Sequence, residues 1–165
     1  MTKPSDTISP LGQLLTPRTV RLRVSAADRS DVVAQAGALL VASGGVEQRY
    51  VTAMHQALDT LGPYMVIVPG VALLHARPED GAKRLCMSLL TLEPPVPFGN
   101  PDNDPVTMAF ALAAADNESH IKALAQLAAL MGDDKAMTAI RAATSVDEVL
   151  ISVSSAAAEQ AGVES

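Results

Sequence analysis

The sequence is poor in the residues that build disulfide, metal and nucleic-acid sites. Its one cysteine, Cys86, excludes an intramolecular disulfide and a cysteine-rich metal framework. It has 12 Lys and Arg against 18 Asp and Glu and no basic block, so the charge pattern of a nucleic-acid binder is missing. Its apolar runs are too short for a membrane span, and it begins without a signal pattern. We therefore expect a cytoplasmic protein with no nucleic-acid partner and no direct membrane insertion.

Aromatic residues are also scarce, at 2% of the chain, so the core must be built from aliphatic side chains. A length of 165 residues with 48% hydrophobic residues fits one domain with a sizeable core. Residues 1–17 hold three prolines and little pattern, and predict a flexible N-terminal segment. The domain itself is expected over 18–153, followed by an Ala- and Ser-rich tail over 154–165 that frays.

Hydrophobic periodicity predicts an α/β fold, with a single sheet of about five strands flanked by helices. Two helices, ended by Gly44-Gly45 and Gly62-Pro63, follow the first strand, and three more follow the last one. The proline-rich stretch 93–105 is predicted to be a loop. The predicted strands cover 18–24, 65–68, 71–74, 84–92 and 106–114, the last of them apolar almost throughout and so covered on both faces.

Apolar spacing also predicts which helix faces are buried. The inner face of the second helix is assigned to Tyr50, Met54, Leu58 and Leu61. Further along, Asp116-Asn117 is expected to open a helix whose inner face is formed by Ile121, Leu124, Ala128 and Met131. In the first strand, alternation places Val20, Leu22 and Val24 on one face.

Only three histidines occur, and they are the main candidates for chemistry. His55 lies inside the second helix and is most simply an exposed or half-buried helix residue. His75 follows a short apolar strand, a common place for a functional group, although a structural histidine fits the same local pattern. With Asn117 as N-cap, His120 is the third helical residue. There the helix dipole favours a neutral imidazole that can donate to an anion, and an exposed helix-start residue is the alternative.

The surroundings of His75 resemble a known signature. The runs GPYMVI over 62–67 and PGVALLHARPEDG over 69–81 are similar to the mannitol/fructose-type enzyme IIA family of the bacterial sugar phosphotransferase system, closest to its ascorbate branch. The resemblance continues through Phe98-Gly99 and the Asn103–Val106 run to His120-Ile121, and covers roughly residues 25–152. The sequence departs from the family at Leu74, where proline is usual. The resemblance implies a single mixed sheet of the mannitol-type enzyme IIA.

By this resemblance, His75 accepts a phosphoryl group from the phosphohistidine of the phosphocarrier protein HPr. It then passes the group to a cysteine of enzyme IIB for carbohydrate uptake, ascorbate-like in this branch, with the membrane enzyme IIC involved indirectly. The resemblance also makes His120 the second histidine of the site, which stabilises the phosphoryl group. Arg77 could contact phosphate and Asp116 could orient a histidine, but either fits equally well as a solvated loop charge.

The chemistry agrees with the resemblance, since a neutral imidazole is nucleophilic near pH 7. No metal or other cofactor is needed for transfer between carriers, and Cys86 is expected to be an inert packed residue. Two alternatives stay open. One is a regulatory phosphoprotein of the same fold that signals phosphoryl flux by protein–protein binding, and the other is an unrelated α/β binding module with structural histidines. A homodimer is compatible with all three.

Overall fold

The computed structural model describes the backbone of residues 11–164 and the side chains of 13–156. The observed element order confirms the predicted order after one additional helical turn at the start. The helices are α1 (Leu11–Leu14), α2 (Arg29–Ala42), α3 (Gln48–Leu61), α4 (Asn117–Met131), α5 (Asp134–Ala142) and α6 (Val146–Glu164). The strands are β1 (Val20–Val24), β2 (Val66–Val68), β3 (Val71–His75), β4 (Cys86–Val96) and β5 (Val106–Ala113), and short 3₁₀ turns cover Gly62–Met65 and Pro78–Asp80.

The strands form the predicted single mixed sheet of five strands, and their order in the sheet is β1-β4-β5-β3-β2. Strands β1 and β4 are parallel, as are β3 and β5, while β4 with β5 and β2 with β3 are antiparallel. His75, the last residue of β3, is in register with Leu112 near the end of β5. The carboxyl ends of these two central strands therefore meet at one edge of the sheet.

Apolar side chains bury both faces of the sheet. The strand β5 shows this directly, because Ala109 and Ala111 pack into one apolar cluster while Phe110 and Leu112 pack into the other. The predicted burial of this strand on both faces is confirmed. We call the α2–α3 side the first apolar cluster (including Val33, Leu40, Met54 and Leu74) and the α4–α6 side the second apolar cluster (including Leu127, Ile140, Val149 and Val153).

Two predicted helix faces are partly wrong. Leu61 is 42% exposed at the end of α3, although Tyr50, Met54 and Leu58 are buried as predicted. In α4, Ile121 is 65% exposed and Ala128 is also exposed, whereas Leu124 is partly buried and Met131 is buried. The other buried residues of this helix are Ala123, Leu127 and Leu130. After its first turn, α4 is apolar at nearly every position, so the sequence lacks the polar contrast that marks an outer face.

The predicted alternation of β1 is interrupted by an irregularity. Arg23 has a φ of 54°, in the left-handed region, and the register with β4 shifts between Arg21 and Val24. Val20 and Leu22 therefore pack with the second apolar cluster and Val24 with the first. The prediction that these three residues share one face was wrong, because a shift of one residue moves a side chain to the opposite face.

The predicted loop 93–105 begins later than expected. The strand β4 continues past Pro94 and Pro95 to Val96, which pairs with Val106 after a register shift. Both prolines are exposed at this irregular end of the strand. Proline is tolerated at such positions because no regular ladder hydrogen bond is lost there.

The terminal segments are more structured than their composition suggests. Residues 1–10 lie outside the described part of the chain, but α1 falls inside the predicted flexible segment 1–17, and Leu15 packs in the second apolar cluster. At the other end, α6 continues to Glu164, and Ala156 is buried inside the predicted tail 154–165. The domain boundaries stay predictions. Within residues 11–164, no helix has the length and apolar character needed to cross a membrane.

Candidate functional site

His75 is positioned by a strand that the sequence makes almost entirely apolar. Residues 71–74 of β3 are buried, and Leu74 is fully buried where the resembled family usually has proline. His75 is half-buried and is the first polar side chain that the strand presents. In α/β sheets, functional groups gather beyond the carboxyl ends of parallel strands, and His75 lies at such an end.

His120 reaches the same edge of the sheet from the first turn of α4. The N-cap of this helix is Asp116, whose carboxylate accepts a hydrogen bond from the Ser119 N–H at 2.7 Å. His120 is thus the fourth helical residue, and the prediction that Asn117 is the N-cap was wrong by one residue. The His120 N–H donates to the Asp116 carbonyl at 3.1 Å, so the helix begins with its own backbone donors engaged.

The two imidazole rings face each other across this edge. Their centroids are 5.6 Å apart, and the ring planes are tilted by 46°. In both residues Nδ1 is buried and has no hydrogen-bond partner among the described residues. Buried polar atoms are rarely left unpaired in folded proteins, and such exceptions often mark functional sites. The geometry therefore singles out this histidine pair.

The surroundings of His75 favour its neutral form. Burial lowers the pKa of His75, and the nearby positive charge of a protonated His120 lowers it further. The backbone of Leu73 acts on this pKa in the opposite direction and more weakly. The lowered pKa keeps the imidazole uncharged near pH 7, with a lone pair available for attack on an electrophile.

The two weaker candidates are placed differently from the histidines. The side chain of Asp116 caps α4, accepting from both the N–H and the hydroxyl of Ser119, and these bonds lower its pKa. No hydrogen bond joins this carboxylate to a histidine among the described residues, so the structure does not support the suggestion that Asp116 orients one. Arg77 is exposed beside the site, and its backbone N–H donates to Asp80 at 2.9 Å.

Two backbone N–H groups at the start of α4 are already hydrogen-bonded. The N–H groups of Ser119 and His120 both donate to Asp116, one to its carboxylate and one to its carbonyl. They are therefore satisfied within the helix start. The side chain of His120 lies beside His75, with 5.6 Å between the ring centroids.

Sequence reasoning missed one residue of this site. Tyr50 of α3 was predicted only as an apolar-face residue, but its hydroxyl accepts from the Ala76 N–H at 3.0 Å and donates to the Leu112 carbonyl at 2.8 Å. The signal was present, because a buried tyrosine in an apolar stripe needs a partner for its hydroxyl. The sequence did not show which backbone groups that partner would be.

The remaining histidine lies on another surface. His55 is half-buried on α3, with Nδ1 3.4 Å from the Ser30 hydroxyl of α2, and the prediction of an ordinary helix residue is confirmed. Among the residues that the structure describes, no group of three or more His, Cys, Asp or Glu could hold a metal ion.

Comparison with known proteins shows the family to which the chain belongs. Residues 13–155 match the family described as "Phosphoenolpyruvate-dependent sugar phosphotransferase system, EIIA 2". The ascorbate-specific PTS system EIIA component of Escherichia coli strain K12 is 38% identical over 134 residues, covering 81% of this chain and 87% of that protein. The solution structure of the mannitol-specific cryptic phosphotransferase enzyme IIA CmtB from Escherichia coli superposes with a TM-score of 0.79 at 30% identity, covering 88% of this chain and 99% of CmtB.

A second structure shows such a domain with a partner. It is the complex of enzyme IIA and phosphorylated enzyme IIB of the mannitol system of Escherichia coli, with a TM-score of 0.75, 27% identity and coverage of 86% of this chain and 99% of that one. The fold and the sequence match together define a phosphoryl-carrier class of protein. The chain belongs to the enzyme IIA family of the sugar phosphotransferase system and is a phosphotransferase component, as the resemblance predicted.

Proposed function

We propose that this chain accepts a phosphoryl group from phospho-HPr on His75 and passes it to a cognate enzyme IIB during uptake of an ascorbate-like carbohydrate. The observation that carries this proposal is the half-buried His75 at the end of β3, with a lowered pKa and the ring of His120 at 5.6 Å. The ascorbate-specific relative supports the substrate class. The role places the chain in the cytoplasm, with enzyme IIC as an indirect partner.

The proposed step is an in-line exchange between two imidazoles. A lone pair of neutral His75 attacks phosphorus, a P–N bond to His75 forms, and the P–N bond to the donor histidine breaks. The donor nitrogen keeps that electron pair. Such transfer depends mainly on positioning and on stabilising the negative oxygens. An N–H of the His120 imidazole, donating to a phosphoryl oxygen, supplies the second requirement.

The onward step supports the choice of partner. The homologous mannitol-type domain forms a complex with phosphorylated enzyme IIB. Transfer to an enzyme IIB needs an acceptor site open to a second protein, and His75 is half-buried at a sheet edge with the exposed Arg77 beside it. The exposed Ile121, adjacent to His120, gives the same edge an apolar contact point.

The relay can be tested with purified proteins. The chain is incubated with phosphoenolpyruvate, enzyme I and HPr, and intact mass spectrometry then follows the gain of one phosphoryl group and its loss when enzyme IIB is added. We expect both steps for the wild type and for His55→Gln, and neither for His75→Gln. A wild type that gains the group but passes it to no enzyme IIB would instead favour the regulatory alternative. A wild type that gains nothing would contradict the proposal.

A further inference from the structure

We propose that Tyr50 is a positioning residue for His75, and that its hydroxyl holds the peptide after His75 against the end of β5. The inference rests on the proposed role of His75 as acceptor. It concerns a residue of α3, on the first apolar cluster side of the sheet, which carries no chemistry of its own in the transfer.

The hydroxyl of Tyr50 is hydrogen-bonded to the backbone at the end of β5 and directly after β3. It accepts from the Ala76 N–H at 3.0 Å and donates to the Leu112 carbonyl at 2.8 Å, with the Ala76 carbonyl at 3.2 Å as an alternative acceptor. Ala76 directly follows His75, and Leu112 is the residue in register with His75. One side chain thus joins the backbone after the acceptor histidine to the strand that leads to His120.

Because Tyr50 is buried, its hydroxyl depends on these hydrogen bonds. Tyr50 has no exposed surface, so a hydroxyl there is unfavourable unless its hydrogen bonds are made. Burial also raises the pKa of Tyr50 to about 12, so the hydroxyl keeps its proton across the working pH range. Phenylalanine would fill the same apolar space, and only the need to bond these backbone groups requires the hydroxyl.

The consequence for the site follows from backbone geometry. The peptide between His75 and Ala76 has its orientation set by ψ of His75, so a hydrogen bond to its N–H restricts the direction in which the imidazole leaves the strand. The bond to Leu112 fixes this peptide relative to β5, which continues into α4 and His120. Tyr50 therefore controls the spacing of the two rings. Misplacement of a reacting group by about 1 Å can slow a reaction about a hundredfold.

The test compares Tyr50→Phe with a matched variant, Ser88→Ala. Ser88 is also a fully buried hydroxyl residue, and its bond goes to the Ala36 carbonyl of α2 at 2.9 Å. Both variants lose one buried hydroxyl, but only Tyr50→Phe loses it where β3 and β5 end beside the two histidines. Three readouts are used: the rate of phosphorylation by phospho-HPr, the NMR titration midpoint of His75, and hydrogen exchange of the Ala76 amide.

We expect Tyr50→Phe to slow phosphorylation by about tenfold or more, to move the His75 midpoint and to deprotect the Ala76 amide. Ser88→Ala should keep the wild-type rate and midpoint. The proposal is overturned if Tyr50→Phe transfers within twofold of the wild type, or if Ser88→Ala slows transfer equally. If Tyr50→Phe fails to fold, hydrogen exchange of the wild type still tests the proposal. Rapid exchange of the Ala76 amide would show that its hydrogen bond to the Tyr50 hydroxyl is not held, and would overturn the proposal. The titration and exchange readouts need no phosphorylation, so they test Tyr50 even if His75 is not the acceptor.

Discussion

The imidazoles of His75 and His120 lie 5.6 Å apart, on two segments that leave neighbouring parallel strands at the same edge of the sheet. At this distance, a positive charge on His120 disfavours protonation of His75. The pair therefore differs from two independent surface histidines, because one ring can stay neutral as a nucleophile while its neighbour donates an N–H. This division of roles leads to the first two predictions.

Replacing His120 with alanine should leave His75 phosphorylated but should slow the transfer. The loss of one donor from a preorganised anion site costs on the order of 2.7–4 kcal/mol of barrier, or about a hundredfold or more in rate. His120→Gln should recover part of the loss, because its amide N–H reaches a similar place. Quench-flow measurement of transfer in both directions checks this. Wild-type rates in His120→Ala would remove His120 from the site.

His75 should titrate below the ordinary histidine value of 6.5, and His120→Ala should raise its midpoint without restoring the ordinary value, since burial remains. As the pH falls, His75 is protonated at a higher pH in the unfolded chain than in the folded protein. His75 thus contributes stability that is complete above about pH 6.5 and is lost as the pH falls through the lowered pKa. NMR titration of His75 in the wild type and in His120→Ala gives both midpoints. Denaturant unfolding of the wild type and of His75→Gln, compared between the lowered pKa and pH 6.5, shows whether the free energy of unfolding rises with pH because of His75. A midpoint at or above 6.5 in the wild type would count against the site electrostatics described above.

Asp116→Ala should lower stability more than it lowers the transfer rate, because the carboxylate caps α4 and its hydrogen bonds come from Ser119. Asp133 is the matched control, since it caps α5 through the Ala136 N–H at 3.0 Å, away from the site. Both alanine variants should lose a few degrees in Tm, and Asp116→Asn should lose less. A hundredfold loss of transfer in Asp116→Asn, with unchanged Tm, would instead assign the carboxylate a direct role.

Cys86 should react with a thiol reagent only when the protein unfolds. It is 2% exposed, and burial raises the pKa of its thiol to about 11, with Arg84 acting weakly in the opposite direction. A reactive cysteine needs both exposure and a lowered pKa. Labelling kinetics in native buffer and in denaturant check this, and rapid labelling of the native protein would contradict it.

The fold could be predicted because its strongest signals are local. Short apolar runs, helix-ending glycines and the almost entirely apolar β5 indicated the elements. The motif around His75 identified the acceptor candidate by resemblance. The errors arose where the local pattern carries little contrast. The helix α4 is apolar on nearly every side, so the sequence could not show that Ile121 is exposed and Ala123 buried.

The rest of the site depends on contacts between distant segments. The hydroxyl of Tyr50 bonds to groups 26 and 62 residues away, a relationship that no periodicity encodes. The register shift near Arg23 likewise reflects pairing with β4, and the role of Asp116 depended on a helix start that the sequence left uncertain by one residue. The sequence could thus indicate candidate residues and their positions in the chain, but not the contacts that surround them.

The central claim is that His75 carries the phosphoryl group, and mapping that group tests it most directly. The chain is phosphorylated by phospho-HPr, digested at basic pH and analysed by tandem mass spectrometry, with His75→Ala treated in parallel. The account predicts one acid-labile, base-stable phosphoryl group on the peptide containing His75 and none on His75→Ala. A phosphoryl group on His120, or one retained by a folded His75→Ala variant, would contradict it.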